Sequence, residues 1–253
     1  MNLLVDLGNS RLKWAWAEGD TLTVGEPVDH SRPLQPQLEV LWRQAPPIGR
    51  ALVASVARPR LEAELAQAIH ACVGVEPEFI ASAASACGVH SAYATPEKLG
   101  VDRFVAMIAL HARAAVPVVL ASVGTALVLD ALDADGRHGG GLIAPSPMLM
   151  QEALLGATAR VSASSTALTV EMAADTEDAV RSGCWLAAAA LVERFYATAA
   201  ARMAHPPVLV IAGGAAAELA PLVRVPSRIE PDLVLRGLAV MARSGCAKPL
   251  PNR

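Results

Sequence analysis

The first residues along the chain with the chemistry of a binding site follow directly on a short apolar run. Leu3-Leu4-Val5 has the length of a buried strand, and the Gly8-Asn9-Ser10 segment behind it is typical of a tight turn before a second strand. The hairpin gathers Asp, Asn, Ser, Arg and Lys side chains around a glycine that lets a ligand approach the backbone. The backbone N–H groups and Lys13 are suited to bind phosphate oxygens, and Asp6 is suited to bind the water shell of Mg²⁺. An ordinary N-terminal hairpin with a polar tip is the alternative interpretation.

A second group of polar side chains occurs at Tyr93–Arg103, where Asp102 and Arg103 stand at a predicted helix start. One interpretation is structural, since a carboxylate complements the helix dipole there and the cation is solvated. The other is catalytic: Asp102 accepts a proton from a substrate hydroxyl while Arg103 holds a substrate carboxylate. Phosphoryl transfer needs little more than such positioning and a charge clamp.

The hairpin design occurs twice in the sequence. Residues 117–130 again consist of an apolar strand, a turn at Gly124 with a small polar residue after it, and a second apolar strand. The two hairpins begin about half a chain apart, which predicts an internal duplication into two similar lobes that face a shared cleft. The predicted fold is therefore α/β, with two duplicated ribonuclease-H-like lobes as in actin, hexokinase and Hsp70. The predicted domains are residues 1–115 and 116–253.

The periodicity of apolar residues predicts the elements that position these groups. The predicted strands are Thr21–Val28, Leu52–Val56, Glu78–Ala81 and Val208–Ile211, besides the hairpin strands and a run after Gly139-Gly140-Gly141. The predicted helices are Gln37–Arg43, Pro59–Ala71, a segment after Pro96, Met148–Ala157, Asp175–Met203 and Leu233–Arg243. Residues 83–95 are small and polar, which favours a loop. Asp175 and Asp178 resemble an acidic variant of the capping box.

Composition narrows the possible functions. A formal charge of −3 argues against a protein built to bind nucleic acid, and 53% apolar residues supply ample core material. No apolar stretch reaches the roughly 20 residues that a transmembrane helix needs, and the first strand begins too early for a signal peptide. The four cysteines show no CxxC pairing and the histidines no zinc-site spacing, so we expect reduced, mostly buried thiols and a cytoplasmic protein.

The chain resembles type III pantothenate kinases, which phosphorylate pantothenate to 4′-phosphopantothenate in the first step of coenzyme A biosynthesis. The resemblance runs in order along nearly the whole chain. The matching blocks are Asp-x-Gly-Asn-Ser-Arg-x-Lys-Trp at 6–14, Tyr-x-x-Pro-x-x-Leu-Gly-x-Asp-Arg at 93–103, Gly-Thr-Ala at 124–126, Gly-Gly-x-Ile-x-Pro at 140–145, Thr176 with Arg181-Ser182-Gly183, and Gly213-Gly214.

This resemblance implies roles for the matching positions. Asp102 is the implied general base. The implied ATP-binding residues are Asp6, Leu7, Gly8, Asn9, Ser10, Arg11, Leu12, Lys13 and Thr125, with Mg²⁺ held by Asp6 through water. The implied pantothenate-binding residues are Tyr93, Gly100, Val101, Asp102, Arg103 and Thr176, the last acting across a homodimer interface. The resemblance also implies a monovalent cation, K⁺ or NH₄⁺.

Three positions depart from the family pattern. Ser122 replaces the usual Asp at the head of the second hairpin, where the carboxylate is tied to the monovalent cation, and a serine hydroxyl binds cations far more weakly. Ser146 and Ala215 replace a Gly and an Asp. The departures leave two alternatives open: a regulatory or accessory protein with weak or no catalysis, and a kinase for another small hydroxy acid or sugar. The block at Tyr93–Arg103 argues against the second.

Overall fold

The computed structural model of the protein describes residues 1–157 and 169–247. Within these residues strands and helices follow one another along the chain, as predicted for an α/β protein. The strands are β1 (Asn2–Leu7), β2 (Arg11–Glu18), β3 (Thr21–Val24), β4 (Val28–Asp29), β5 (Arg50–Ser55), β6 (Pro77–Phe79), β7 (Ser85–Ala86), β8 (Val89–His90), β9 (Val118–Val123), β10 (Ala126–Leu132), β11 (His138–Pro145), β12 (Val208–Ala212) and β13 (Ser227–Ile229). The helices are α1 (Leu34–Leu41), α2 (Pro59–Val73), α3 (Val101–Arg113), α4 (Pro147–Ala157), α5 (Thr176–Ala200), α6 (Ala216–Leu219) and α7 (Leu233–Ser244).

Contacts within the chain divide it into two compact units. The first unit comprises Met1–Ala115, Asp135–Arg137 and residues 232–247, and the second comprises Val116–Ala134 with the described residues from His138 to Pro231. The first unit therefore takes in α7 as well as the N-terminal residues. The division into domains 1–115 and 116–253 as functional lobes stays a prediction.

The first unit is built on a mixed sheet in the order β3-β2-β1-β5-β6, with β4 added beside β2. β1 is antiparallel to β2 and parallel to β5. Leu3, Leu4 and Val5 are all fully buried, because β1 lies in the middle of the sheet with helices on both faces. α1 and α2 pack against one face, and α3 and α7 pack against the other.

α3 and α7 approach each other unusually closely. A Cβ atom added to Gly237 of α7 would lie 2.0 Å from the carbonyl oxygen of Val105 in α3, a separation that no side chain tolerates. The glycine therefore allows the two helix backbones to touch. This contact fixes the start of α7 relative to the start of α3, where Asp102 lies.

The second unit repeats the topology of the first. Its sheet has the order β11-β10-β9-β12-β13, with β9 antiparallel to β10 and parallel to β12. Each sheet thus has an antiparallel hairpin with a glycine turn, followed by strands parallel to the first strand of the hairpin. The repeated order is what the predicted duplication requires. α5 covers one face of the second sheet through Trp185, Ala188, Ala189 and Val192.

Most predicted elements are present with shifted ends. The capping interaction at α5 is confirmed, since the Asp175 side chain accepts a hydrogen bond from the Asp178 amide. The single strand predicted over Thr21–Val28 is divided into β3 and β4, with Gly25 between them packed against the Trp14 ring. The loop predicted at residues 83–95 contains the short hairpin of β7 and β8. α6 and β13 were not predicted.

The expectation of reduced thiols is wrong for two cysteines. Cys87, in the β7–β8 turn, and Cys246, just after α7, form a disulfide with their Cα atoms 5.9 Å apart. That distance lies in the normal range for a disulfide, although the residues are 159 positions apart in sequence. The packing of α7 in the first unit brings them together, which local spacing could not indicate. Cys72 and Cys184 are free thiols, and burial raises the pKa of both.

None of the helices in the described part of the chain has the length and apolarity needed to cross a membrane.

Candidate active site

Asp6 lies on β1 opposite Lys13 on β2, because the register of the first hairpin pairs these two residues. Burial and the neighbouring carboxylate of Asp102 raise the pKa of Asp6 to about 7. Lys13 acts in the opposite direction, and Asp232 adds a further increase. The charges of Asp102, Asp232 and Lys13 therefore all act on the Asp6 carboxyl group in this region of the first unit.

Lys13 forms an ion pair with Asp232, with 3.4 Å between Nζ and Oδ1. Asp232 is the residue before α7, and its backbone is left-handed with φ of 57°. A non-glycine residue in that conformation carries a small strain, which is often found at functional sites. The pair brings the last helix of the first unit to the hairpin at the beginning of the chain.

The turn between β1 and β2 presents its polar residues to solvent. The Gly8 amide donates to the Arg11 carbonyl over 3.1 Å and closes the turn, and Asn9, Ser10 and Arg11 are exposed. Leu7 and Leu12, by contrast, are fully buried in the core of the first unit. Any contact that these two leucines make with a nucleotide would go through the backbone.

Asp102 lies in the first turn of α3, after Gly100 at the helix N-cap position. Its Oδ1 accepts a hydrogen bond of 2.9 Å from the Arg103 amide, and its negative charge contributes to the raised pKa of Asp6. A Cβ atom on Gly100 would lie 2.6 Å from Asp102 Oδ1. Only glycine at position 100 therefore leaves the aspartate side chain room to adopt this position.

Arg103 and Tyr93 form a second polar group beside Asp102. Arg103 is buried, and its Nη1 donates to the Tyr93 hydroxyl over 3.0 Å. The guanidinium also lies 5.8 Å from the centre of the Tyr93 ring. The carbonyl of Leu99, just before the turn, accepts a 2.8 Å hydrogen bond from the buried hydroxyl of Ser82. Val101 is buried, so it too could reach a substrate only through its backbone.

The remaining predicted residues belong to the second unit. Ser122 lies on β9, and Thr125 is exposed in the glycine turn that follows. The Gly124 amide closes this turn by donating a hydrogen bond of 2.9 Å to the Ala126 carbonyl. Thr176 is the first residue of α5 and lines a largely apolar cavity of about 960 Å³ between α4 and α5. Ser146 is buried, and its hydroxyl accepts from the Leu149 amide at the start of α4.

Among the residues that the structure describes, no three His, Cys, Asp or Glu side chains are grouped closely enough to hold a metal ion by themselves. Burial and the charge of Asp102 nevertheless disfavour the ionised form of Asp6, and a bound cation would offset both effects. A site of that kind fits an ion such as Mg²⁺, which keeps several waters and is bound by one or two carboxylates together with substrate phosphates.

Comparison with known proteins decides the family. The family model for type III pantothenate kinase matches residues 2–198. The chain belongs to the type III pantothenate kinase family. A type III pantothenate kinase from Laribacter hongkongensis is 40% identical over 252 residues, which cover 97% of this chain and all of that protein. The resemblance given by the sequence blocks is thereby confirmed, and a regulatory protein or a kinase of another kind is not favoured.

Solved structures show the same fold at low sequence identity. A conserved protein of the Baf family of transcriptional activators from Campylobacter jejuni has a TM-score of 0.62 at 16% identity, over 96% of this chain and 98% of that one. The activator of 2-hydroxyisocaproyl-CoA dehydratase from Clostridium difficile, with bound ADPNP, has a TM-score of 0.54 at 13% identity, over 97% and 95%. The predicted duplicated α/β fold of the actin, hexokinase and Hsp70 group is confirmed.

Two residues that contact the candidate site were not predicted from the sequence. Asp232 follows Pro231 before a helix, which is a common position for a helix-terminal aspartate, and nothing local indicates a partner 219 residues away. Ser82 lies in a small, polar segment where serine is unremarkable. Both residues gain their significance from packing between distant segments of the first unit.

Proposed function

We propose that this protein transfers the γ-phosphoryl group of ATP to pantothenate and forms 4′-phosphopantothenate, the first step of coenzyme A biosynthesis. The observation that carries the proposal is the grouping of Asp6, Lys13 and Asp102 in the first unit of a chain from the type III pantothenate kinase family. A phosphate-binding lysine, a carboxylate for the metal and a carboxylate for the nucleophile are the parts that phosphoryl transfer requires.

ATP is proposed to bind through the first glycine turn. The exposed residues Asn9, Ser10 and Arg11 place backbone amide groups at the turn for phosphate oxygens, and Lys13 supplies a positive charge near the start of β2. Leu7 and Leu12 hold the two strands in the core and contribute only backbone atoms. Thr125 is retained as a nucleotide ligand because it occupies the topologically equivalent turn of the second unit.

Asp6 is proposed to hold Mg²⁺ through water. Burial and the charge of Asp102 raise the pKa of Asp6 to about 7. A divalent cation with the ATP phosphates would lower that pKa and keep Asp6 ionised. When bound, Mg²⁺ neutralises charge on the phosphate oxygens. Lys13, held near Asp232, contributes a positive charge from the protein.

Pantothenate is proposed to bind at the turn from Gly100 to Arg103. Pantothenate carries a carboxylate and a primary hydroxyl group. The Arg103 guanidinium, oriented by its hydrogen bond to Tyr93, is suited to the carboxylate. Asp102 then accepts the proton of the hydroxyl group as the hydroxyl oxygen attacks the γ-phosphorus, the bond to the β,γ-bridging oxygen breaks and ADP leaves. Gly100 and Val101 contribute backbone atoms.

This protein is proposed to differ from its family in its requirement for a monovalent cation. K⁺ or NH₄⁺ in the family is tied to a carboxylate at the position of Ser122. A neutral hydroxyl offsets much less of the hydration that the ion loses on binding. We therefore expect this protein to need a higher concentration of K⁺ than its relatives, or none.

A homodimer is proposed from the family and from one surface of the second unit. Large apolar side chains are exposed on β11 and α4, namely Leu142, Ile143, Leu149 and Leu154. The cavity between α4 and α5 continues this apolar surface to Thr176. An exposed apolar surface of this kind commonly marks a protein interface. Thr176 is proposed to reach pantothenate bound in the partner subunit.

The proposal is tested by measuring ADP release with ATP and Mg²⁺, with pantothenate as acceptor and then with a sugar or another hydroxy acid. We expect saturable turnover with pantothenate and little ADP release without an acceptor. Turnover with another acceptor but not with pantothenate, at any K⁺ concentration, would contradict the proposal. The cytoplasmic location expected from the sequence stays a prediction.

A further inference from the structure

The phosphate-binding turn is held from outside the hairpin by His30. The Nε2 atom of His30 lies 3.1 Å from the carbonyl oxygen of Gly8. A carbonyl oxygen can only accept, so Nε2 must carry the proton in this hydrogen bond. Both the neutral and the protonated ring have an Nε2–H available, and the interaction therefore does not require the imidazole to be charged.

The position of His30 is fixed by the strand before it. β4 pairs with the start of β2, with Asp29 opposite Arg11 and Val28 opposite Leu12. The Asp29 carboxylate accepts the Ser31 amide at 2.8 Å, and this backbone hydrogen bond keeps the pKa of Asp29 low. β4 is thus attached to the strand that leaves the turn.

His30 connects the two ends of the turn. β4 anchors it beside Arg11, where the chain leaves the turn, and its ring reaches Gly8, where the chain enters. The Gly8 amide already donates to the Arg11 carbonyl. Gly8 is consequently held through both its N–H and its C=O, and the exposed Asn9 and Ser10 lie between two fixed points.

We infer that His30 is a positioning residue for the nucleotide, which fixes the turn so that its backbone meets the ATP phosphates without a further loss of conformational entropy. A turn that is ordered before binding gives higher affinity, because the ligand does not have to order it. The inference rests on the proposed function only in assigning phosphates to this turn. It concerns the affinity for nucleotide and not the transfer step.

The test compares His30→Ala with wild type for direct binding of ADP and of a non-hydrolysable ATP analogue by calorimetry, together with steady-state kinetics. Loss of one hydrogen bond to a carbonyl should weaken nucleotide binding and raise the KM for ATP about 2- to 12-fold. The kcat and the KM for pantothenate should stay within about twofold, since the acceptor residues are untouched.

Two further variants separate positioning from general damage. His30→Gln keeps an N–H donor and should recover most of the nucleotide affinity. His70→Ala removes an exposed histidine of the same unit that pairs with Glu76, and it should behave like wild type. Nucleotide affinity of His30→Ala equal to that of wild type would overturn the inference. So would a parallel loss of kcat and of pantothenate binding that His30→Gln does not restore.

The same measurements keep this inference apart from the proposed function. Wild-type protein that binds nucleotide but does not phosphorylate pantothenate would overturn the proposed acceptor, while weaker binding by His30→Ala would still support the role of His30. Wild-type protein that binds no nucleotide at all would overturn both.

Discussion

The carboxyl group of Asp6 is the part of the site whose charge state can be tested without any substrate. In the folded protein its pKa is about 7, against 3.8 ordinarily, because of burial and the neighbouring Asp102. Between these pH values the folded state keeps a proton that the unfolded state has released. The folded state therefore loses stability relative to the unfolded state as pH rises from about 4 to about 7.

Asp6→Asn removes this penalty, since the amide is neutral at every pH. At about 1.4 kcal/mol for each tenfold change in proton affinity, the full effect is at most about 4 kcal/mol. Asp6 keeps some contact with solvent, which screens part of this effect, so we expect the variant to exceed wild type by about 2–4 kcal/mol in free energy of unfolding at pH 8. Near pH 4 the two proteins should be equal.

The assay is urea unfolding from pH 4 to pH 8 in EDTA without nucleotide, followed by tryptophan fluorescence. Three of the four tryptophans, Trp14, Trp16 and Trp42, lie in the first unit, so the signal mainly reports that unit. Asp20→Asn is the matched control, because the Asp20 side chain is 96% exposed. A stability difference between Asp6→Asn and wild type that does not change with pH would refute the reasoning about the site's charge.

Three other changes probe the remaining parts of the account. Asp102→Asn should lower kcat about 10²–10⁴-fold while pantothenate affinity, measured by calorimetry, changes much less; near-normal turnover would remove Asp102 from the role of general base. Ser122→Asp should create or sharpen activation by K⁺ in initial rates at fixed ionic strength, with a bulky organic cation as control; tight, saturable activation of wild type would contradict the role assigned to the missing carboxylate. Gly237→Ala should destabilise the protein by about 1–3 kcal/mol in urea unfolding, because the added methyl group meets the Val105 carbonyl. Gly183→Ala should not destabilise the protein, because the space around an added Cβ atom at position 183 is open. Equal stability of the two glycine variants would show that α3 and α7 separate easily.

The sequence predicted the parts of the fold that depend on local patterns. The hairpin from β1 to β2 was evident because an apolar run, a glycine turn and an alternating strand follow one another within 18 residues. The same pattern from β9 to β10 led to the duplication. The start of α5 was visible because a capping aspartate leaves its signal three residues away, at Asp178.

Features that depend on packing between distant segments could not be predicted in this way. The attachment of α7 to the first unit rests on Gly237 meeting the backbone of α3, and a lone glycine in a helical pattern does not by itself indicate which helix packs against it. The disulfide of Cys87 and Cys246, and the pairing of Asp232 with Lys13, both follow from that attachment. The sequence thus predicted which residues form the candidate site, but it did not predict the long-range contacts that hold them in place.

The central claim is that the phosphoryl group goes from ATP to the primary hydroxyl of pantothenate. Proton-coupled ³¹P NMR of a reaction with ATP, Mg²⁺ and pantothenate tests it directly, since a phosphate ester of a CH₂–OH group gives a triplet. The account predicts a new phosphomonoester triplet that grows in equal amount with ADP and is absent without pantothenate. ADP accompanied only by inorganic phosphate, or no new ester signal with active protein and pantothenate present, would contradict it.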